Sequence, residues 1–248
     1  MHRWLIVFGM IFFAGCGMWD STRDAYFEYV YPTPEIDLEF QGLNAEQEEK
    51  LARIFYPADT ELSALLRHLR TRDKYPRDSW FDSTLRDFPW LGGVLAVDAE
   101  GEILKKVPRE GIKKIDYSFL AESEVHLGDW RTRTFIRKTA FGPEIILARP
   151  FFKGNEWKGM IVFHFDPRVF AELSSFAPRM TLVMESQVLW SSELKKFDRY
   201  LENRPWDELI KSEIHGRFKP ESAELFWMAR RMGDKWLFYV VRSGEIKE

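Results

Sequence analysis

The chain holds a single cysteine, Cys16, among 248 residues. That excludes an intramolecular disulfide and a cysteine-rich metal site. An excess of one charge sign is also missing: 36 basic side chains stand against 39 acidic ones, a net charge of −3. A general nucleic-acid binder needs a basic face, so none is expected as a partner. No Gly-rich phosphate loop occurs, no metal-binding His-x-x-x-His or Glu-x-x-His pair on a helix, and no Gly-x-Ser-x-Gly elbow. The histidines, His2, His68, His126, His164 and His215, are scattered, and no carboxylates fall at a spacing that implies a paired acid and base. The sequence therefore predicts no enzyme, no cofactor and no metal. What it has is aromatic mass: 10 Trp and 21 Phe, enough for a sizeable core in one large domain or two small ones.

Residues 1–16 read as a targeting segment rather than fold. His2-Arg3 is a minimal positive region, and Trp4 to Ala14 is an apolar stretch of signal-peptide length, too short to span a bilayer as a mature helix. Phe13-Ala14-Gly15-Cys16 resembles a bacterial lipobox, in which small residues precede a cysteine that is acylated and becomes the new N-terminus. The resemblance implies lipidation of Cys16 and a bacterial cell-envelope location, lipid-anchored on the extracytoplasmic (periplasm) side. Each buried methylene of an acyl chain adds about 0.8 kcal/mol of membrane affinity. Residues 17–42, with Pro32 and Pro34 and no clean period, read as a tether.

Leu43 to Thr71 is the first strong helix. Leu51, Ile54, Phe55, Leu62, Leu65, Leu66 and Leu69 recur at spacings of three, four and seven, and Asn44 with Gln47 forms a capping-box pattern. Pro57 predicts a kink or a split near Tyr56, with Asp59 capping the second piece. Lys74 to Pro89 reads as loop-rich, with Trp80, Phe81 and Phe88 covering a sheet edge. Leu91–Asp98 and Glu102–Val107 read as a hairpin. Arg133–Thr139, Glu144–Phe152 and Trp157–Phe165 read as an antiparallel meander joined by short turns. Asp166-Pro167 then starts a helix, Asp as cap and Pro in the first turn. Beyond it, Met180–Met184 with Gln187–Trp190 is a hairpin, Leu194–Leu201 and Trp206–Ile214 are helices, the latter ended by Gly216, and Leu225–Arg230 with Lys235–Arg242 is a final hairpin.

The order of these pieces resembles the Cache (PDC, PAS-like) extracytoplasmic sensor domain, probed most closely by Ala148-Arg149-Pro150-Phe151-Phe152, the Gly154-Asn155 turn, and Gly159-Met160-Ile161-Val162-Phe163-His164-Phe165-Asp166. Gly93 to Leu104 looks like the first hairpin of the same domain, so the resemblance spans roughly residues 43–175. It implies an α+β fold: a long N-terminal helix followed by one or two PAS-like antiparallel sheet modules. The expected division is 1–16 signal peptide, 17–42 tether, 43–175 helix plus first module, and 176–248 a second, smaller PAS-like module. It also implies that the 43–71 helix carries homodimer contacts, beside its plain role as core.

In such a fold the segment Pro108–Trp130 lies over the sheet, with the small-molecule pocket between them. The resemblance thus makes Tyr117, Trp130, Arg131, Arg133, Arg149 and Asp166 the candidate ligand-binding residues. An Arg grips a carboxylate bidentately and an Asp holds an ammonium group, which points to a small anionic or zwitterionic ligand. Each has a plainer role: Asp166 as a helix cap, Arg131 and Arg133 as a solvated strand edge, Tyr117 as core. Arg149 alternates with Leu147 and Phe151 on an apolar face, a stronger pocket signal. No transmembrane helix and no kinase, methyl-accepting or cyclase segment follows Arg242, so a signal is expected to pass to a separate membrane or envelope protein. The alternative is a protein–protein interaction module of an envelope complex with no small ligand.

Overall fold

In the computed structural model, residues 45–242 are described apart from 73, 112, 123–129, 175–176 and 221–222, and the side chains of 45–50, 122 and 178 are left aside. The signal segment, Cys16 and the tether lie outside the described residues.

The first element is α1 (Ala45–Arg70). It runs unbroken through Pro57, so the expected split does not occur and Asp59 caps nothing. Packing accounts for the difference. Leu51, Ile54, Phe55 and Ala58, then Leu62, Leu65 and Leu69, are all buried on the two sides of the proline. Asp59 instead forms an ion pair with Arg230, 2.9 Å away. The second correction is α2 (Asp78–Asp87), where a loop was expected. Trp80, Phe81 and Thr84 fall on one helical face and are buried, and this burial outweighs the weak local helix signal.

Two antiparallel sheets follow. The first is built from β1 (Gly93–Asp98), β2 (Ile103–Val107), β3 (Arg133–Thr139), β4 (Gly142–Lys153) and β5 (Glu156–Phe165), in the order β2-β1-β5-β4-β3. A short helix, α3 (Phe119–Glu122), precedes β3, and α4 (Pro167–Ala171) leaves β5. The second sheet holds β6 (Met180–Met184), β7 (Gln187–Trp190), β8 (His215–Phe218), β9 (Leu225–Met232) and β10 (Lys235–Arg242), in the order β7-β6-β10-β9-β8. The two orders are the same path walked twice: a hairpin, then a three-stranded meander whose last strand inserts beside the first. The fold is α+β with two PAS-like modules. Between β7 and β8 lie α5 (Asp198–Glu202) and α6 (Trp206–Leu209). The expected helix Trp206–Ile214 ends at Leu209, and Gly216, read as its stop, lies instead in the edge strand His215–Phe218, opposite Trp227 on β9.

Alternation divides each sheet into two faces. On the first sheet, Leu95, Val97, Ile146, Ala148, Met160 and Val162 pack under Tyr117 and Leu120. The other face meets the helices: the ring of Phe163 lies 5.9 Å from Trp80 and 6.4 Å from His68. On the second sheet, Trp227, Phe238 and Val240 pack with Trp206, Leu201 and Phe197. Its opposite face meets α1, where Phe55 lies 5.6 Å from Tyr239 and 6.3 Å from Phe226. The apolar stripe of α1 is thus spent on both sheets, and a homodimer through this helix would have to use its exposed side, which includes Tyr56 at 68% exposure. No helix among the described residues is long and apolar enough to cross a membrane.

Candidate functional site

The face of the first sheet beneath residues 113–122 carries an unexpected polar end. Glu144 on β4 continues the row of Ile146 and Ala148, and His164 on β5 continues the row of Met160 and Val162. Both are buried, Glu144 at 1% exposure and His164 at 5%. His164 Nδ1 lies 2.8 Å from Glu144 Oε1. Lys113, from the overlying segment, donates from Nζ to Glu144 Oε2 at 2.6 Å and to Asp166 Oδ2 at 2.7 Å. Asp166 closes the cluster. Its Oδ1 accepts from the Arg168 amide at 2.8 Å, the capping bond of α4, and its Oδ2 takes the Arg168 guanidinium at 2.6 Å.

Backbone and side chain are fitted to each other here. A Cβ on Gly93 would stand 2.5 Å from His164 Nε2, so the imidazole lies where only a glycine strand leaves room. That nitrogen has no hydrogen-bond partner among the described residues, and neither has the Tyr117 hydroxyl. The two rings are 6.2 Å apart. Burial, reinforced by the charge on Glu144, pushes the Tyr117 phenol well above its ordinary range, so it stays a neutral donor. Burial alone would raise the Asp166 carboxyl. The hydrogen bonds from Arg168 and Lys113 together overcome that and hold it below the usual carboxylate value. The arrangement is a buried ammonium clamped by two carboxylates, with an uncommitted hydroxyl and imidazole nitrogen beside it.

The six expected residues divide. Tyr117 and Asp166 belong to this cluster. Asp166 is both cap and ion-pair partner, so its plain role and its site role coincide. Arg149 does not join them: it faces away from the side that Tyr117 covers, because β4 alternates and Ile146 and Ala148 are the residues under Tyr117. Arg149 is buried, at 8% exposure, and its guanidinium donates to the Trp130 carbonyl at 2.5 Å. Trp130 is 44% exposed and packs its ring 4.1 Å from Phe152. Arg131 is exposed and Arg133 half-buried at the start of β3, away from the polar cluster. Among the described residues Arg149 therefore lies on the opposite face of the sheet from Tyr117 and Asp166.

Sequence reading missed Lys113, Glu144 and His164. For the two strand residues a signal existed: each is a polar side chain continuing an apolar alternating row, the same pattern that marked Arg149. Lys113 lies in an irregular segment without period and gave none. Among the described residues no group of three or more His, Cys, Asp or Glu is arranged to hold a metal ion.

No family model matches the chain, and no curated protein matches its sequence. Solved structures do match its fold. A domain of a putative sensory box/GGDEF family protein from Vibrio parahaemolyticus is 10% identical, with 79% of this chain and 95% of that one covered and a TM-score of 0.55. The extracellular domain of the putative histidine kinase vpHK1S-Z8 is 11% identical, with 81% and 92% covered and a TM-score of 0.52. An extracellular ligand binding receptor from Desulfohalobium retbaense is 16% identical at a TM-score of 0.49; 79% of this chain is covered, but only 38% of that one. The first two likenesses show the fold: the chain shares its architecture with the sensory box/GGDEF protein domain and with the histidine kinase extracellular domain.

Proposed function

We propose that the protein is an extracytoplasmic sensor or small-ligand-binding lipoprotein, anchored in the cell envelope through acylated Cys16, that signals through a separate membrane or envelope protein. Its ligand is a small zwitterion or anion recognised at the Lys113–Glu144–Asp166 cluster. One observation carries the reading: Lys113 places an ammonium between two buried carboxylates, its side chain 14% exposed and theirs 2% and 11%. A ligand ammonium competes for the same oxygens. The displaced Lys113 is then left to pair with the ligand carboxylate, so the buried charge stays balanced through the exchange. The Tyr117 hydroxyl and His164 Nε2 are further hydrogen-bonding groups at hand. Because Lys113 belongs to the segment that covers the sheet, the exchange shifts that segment, and the shift is what a partner protein reads. The sensor domains whose fold the chain shares support the role by analogy of architecture.

Thermal-shift screening of the chain from residue 17 onward, against amino acids, small carboxylates and amines, tests this. A ligand at about 100 times its dissociation constant adds about 2.7 kcal/mol, several degrees for a domain of this size. A hit lost in Glu144→Gln and in Asp166→Asn supports the reading. Silence across all classes moves the assignment to the second reading, an interaction module of an envelope complex. That reading has its own support, since the interior under Tyr117 and Leu120 is closely packed, with exposures of 3% and 0%.

A further inference from the structure

A second region stands apart from the Lys113 cluster, on the helix-covered side of the first sheet. Between residues 67 and 77 the sequence carries Arg67, Arg70, Arg72, Lys74 and Arg77 against a single carboxylate, Asp73, in a chain of net charge −3. The end of α1 and the start of α2 enclose an open groove of about 710 Å³, to which Arg72, Lys74, Tyr75, Arg77, Ser79 and Trp80 contribute. Among the described residues these three cations make no ion pair. Asp78, the acidic residue at the head of α2, is turned to Lys105 at 3.0 Å.

The groove is organised around an indole. Trp80 stacks on His68 with ring centroids 5.1 Å apart and planes 4° from parallel. The Arg72 guanidinium lies 5.3 Å from the Trp80 ring, within cation–π range. Trp80 is only 8% exposed, and neither its indole N–H nor Arg72 Nε has a hydrogen-bond partner among the described residues. Unmade buried donors are costly, and these two belong to residues that line the same groove. The helix end adds a third kind of donor. The cap position of α2 is Arg77, which makes no side-chain capping bond. Arginine has no acceptor to offer; the Trp80 amide donates to the Arg77 carbonyl at 2.9 Å, and the amides of Asp78 and Ser79 before it take no side-chain cap from Arg77. Fixed donors, three cations without an ion pair among the described residues and a helix N-terminus are all suited to a negatively charged oxygen group.

We propose that this groove binds a small oxyanion, a compound bearing carboxylate or phosphate groups, through Arg72, Lys74 and Arg77 together with the Asp78 and Ser79 amides at the start of α2. Trp80 fixes Arg72 by its ring, and its N–H is a directional donor. The site is independent of the zwitterion cluster, which lies under the opposite face of the sheet. The same chemistry is offered by a free metabolite or by an anionic lipid headgroup.

Calorimetric titration of the full-length chain decides it, with citrate, inorganic phosphate and dihexanoyl phosphatidylglycerol held below its micelle concentration as probes, each at low and at high NaCl. Binding is expected with at least one probe, weakened by salt and by roughly tenfold or more in Arg72→Gln/Arg77→Gln, and unchanged in Lys158→Gln, whose cation pairs with Glu156 elsewhere. Binding of citrate or phosphate identifies a free anion; binding of the lipid alone identifies a headgroup. No heat with any probe overturns the proposal, as does equal affinity in the double variant. If the double variant fails to fold, exposed Lys74→Gln carries the comparison, and undiminished affinity there overturns it equally. A loss confined to Glu144→Gln would assign the heat to the other cluster and overturn this one.

Discussion

Thr134 on β3 and Asp234 in the β9–β10 turn are 100 residues apart in sequence and joined directly: the Thr134 amide donates to Asp234 Oδ1 at 2.7 Å. The Thr134 hydroxyl also donates to the Met232 carbonyl at 2.5 Å. The tip of the second sheet is thereby seated on the edge strand of the first, which satisfies backbone groups that an open edge would leave unpaired. Gly233 makes the seat possible. Its φ is +63°, and a Cβ there would stand 2.6 Å from Thr134 Oγ1 and 2.8 Å from the Thr132 carbonyl.

This contact should be measurable as stability. Thr134→Val leaves the Met232 carbonyl without its donor, and Asp234→Ala leaves the Thr134 amide without its acceptor. Each is expected to cost about 1–3 kcal/mol. Gly233→Ala should cost at least as much, since strain at positive φ adds to the clash. Urea unfolding at constant m-value is the measurement. Three variants all within the scatter of the parent would show that the two sheets do not lean on this turn.

Arg230 reaches α1 as well, pairing with Asp59 at 2.9 Å and donating to Ser63 Oγ at 2.5 Å. Burial pushes the Asp59 carboxyl above its ordinary value, and Arg230 opposes the shift. A carboxyl raised in the folded state favours folding below its unfolded pKa of about 3.9, and that contribution is lost as pH climbs through the folded value. Arg230→Met removes the opposing charge and deepens the loss. The expected cost is about 3–5 kcal/mol at neutral pH and clearly less near pH 4, where Asp59 takes up a proton. Equal costs at both pH values, by urea unfolding, would clear Asp59 of any part in the effect.

Asp166 has the opposite sign. Its carboxyl is held low in the folded state, burial opposing and the Arg168 and Lys113 bonds prevailing. Its contribution to stability is therefore present above about pH 3.9 and disappears as pH falls through the lower folded value. Asp166→Asn should lower stability at neutral pH and flatten the acid limb of a melting-temperature profile. An unchanged acid limb would mean that other carboxylates account for the acid loss.

Much of this architecture could be read from residue patterns, and the exceptions share a cause. β3 came out at Arg133–Thr139 as expected, because its β-branched and aromatic residues favour a strand and the Ala140-Phe141 turn ends it. The Asp166-Pro167 start of α4 was equally plain, because capping is local chemistry. α2 was missed because its evidence is the burial of Trp80 and Phe81 against a sheet that local sequence does not display. β8 was missed because an edge strand of four residues with Gly216 carries almost no period. The site divides the same way. Asp166 was found through its local role, whereas the Lys113–Glu144 pair links residues 31 apart and arises only when the segment folds over the sheet. Arg149 shows the converse: the pattern located a buried cation but could not tell which face it served.

Pro57 is where local rule and packing conflict most openly. A proline in a helix interior costs about 3 kcal/mol relative to alanine, through a missing amide donor and a ring that crowds the preceding turn. Around it, Ile54, Phe55, Ala58 and Leu62 are exposed by 2%, 4%, 0% and 0%. Full burial of a large aliphatic or aromatic side chain contributes about 1.5–3 kcal/mol, so three such residues outweigh the proline and the helix stays whole. Pro57→Ala should then relieve the penalty without touching the packing, raising stability by about 1–3 kcal/mol and the melting temperature by a few degrees. A fall in stability instead would mean that the half-buried ring contributes more through contact than it costs through the backbone. In that case Pro57→Val, which keeps some bulk and restores the amide, should recover part of the loss. If valine does no better than alanine, contact of the ring is not what the helix loses.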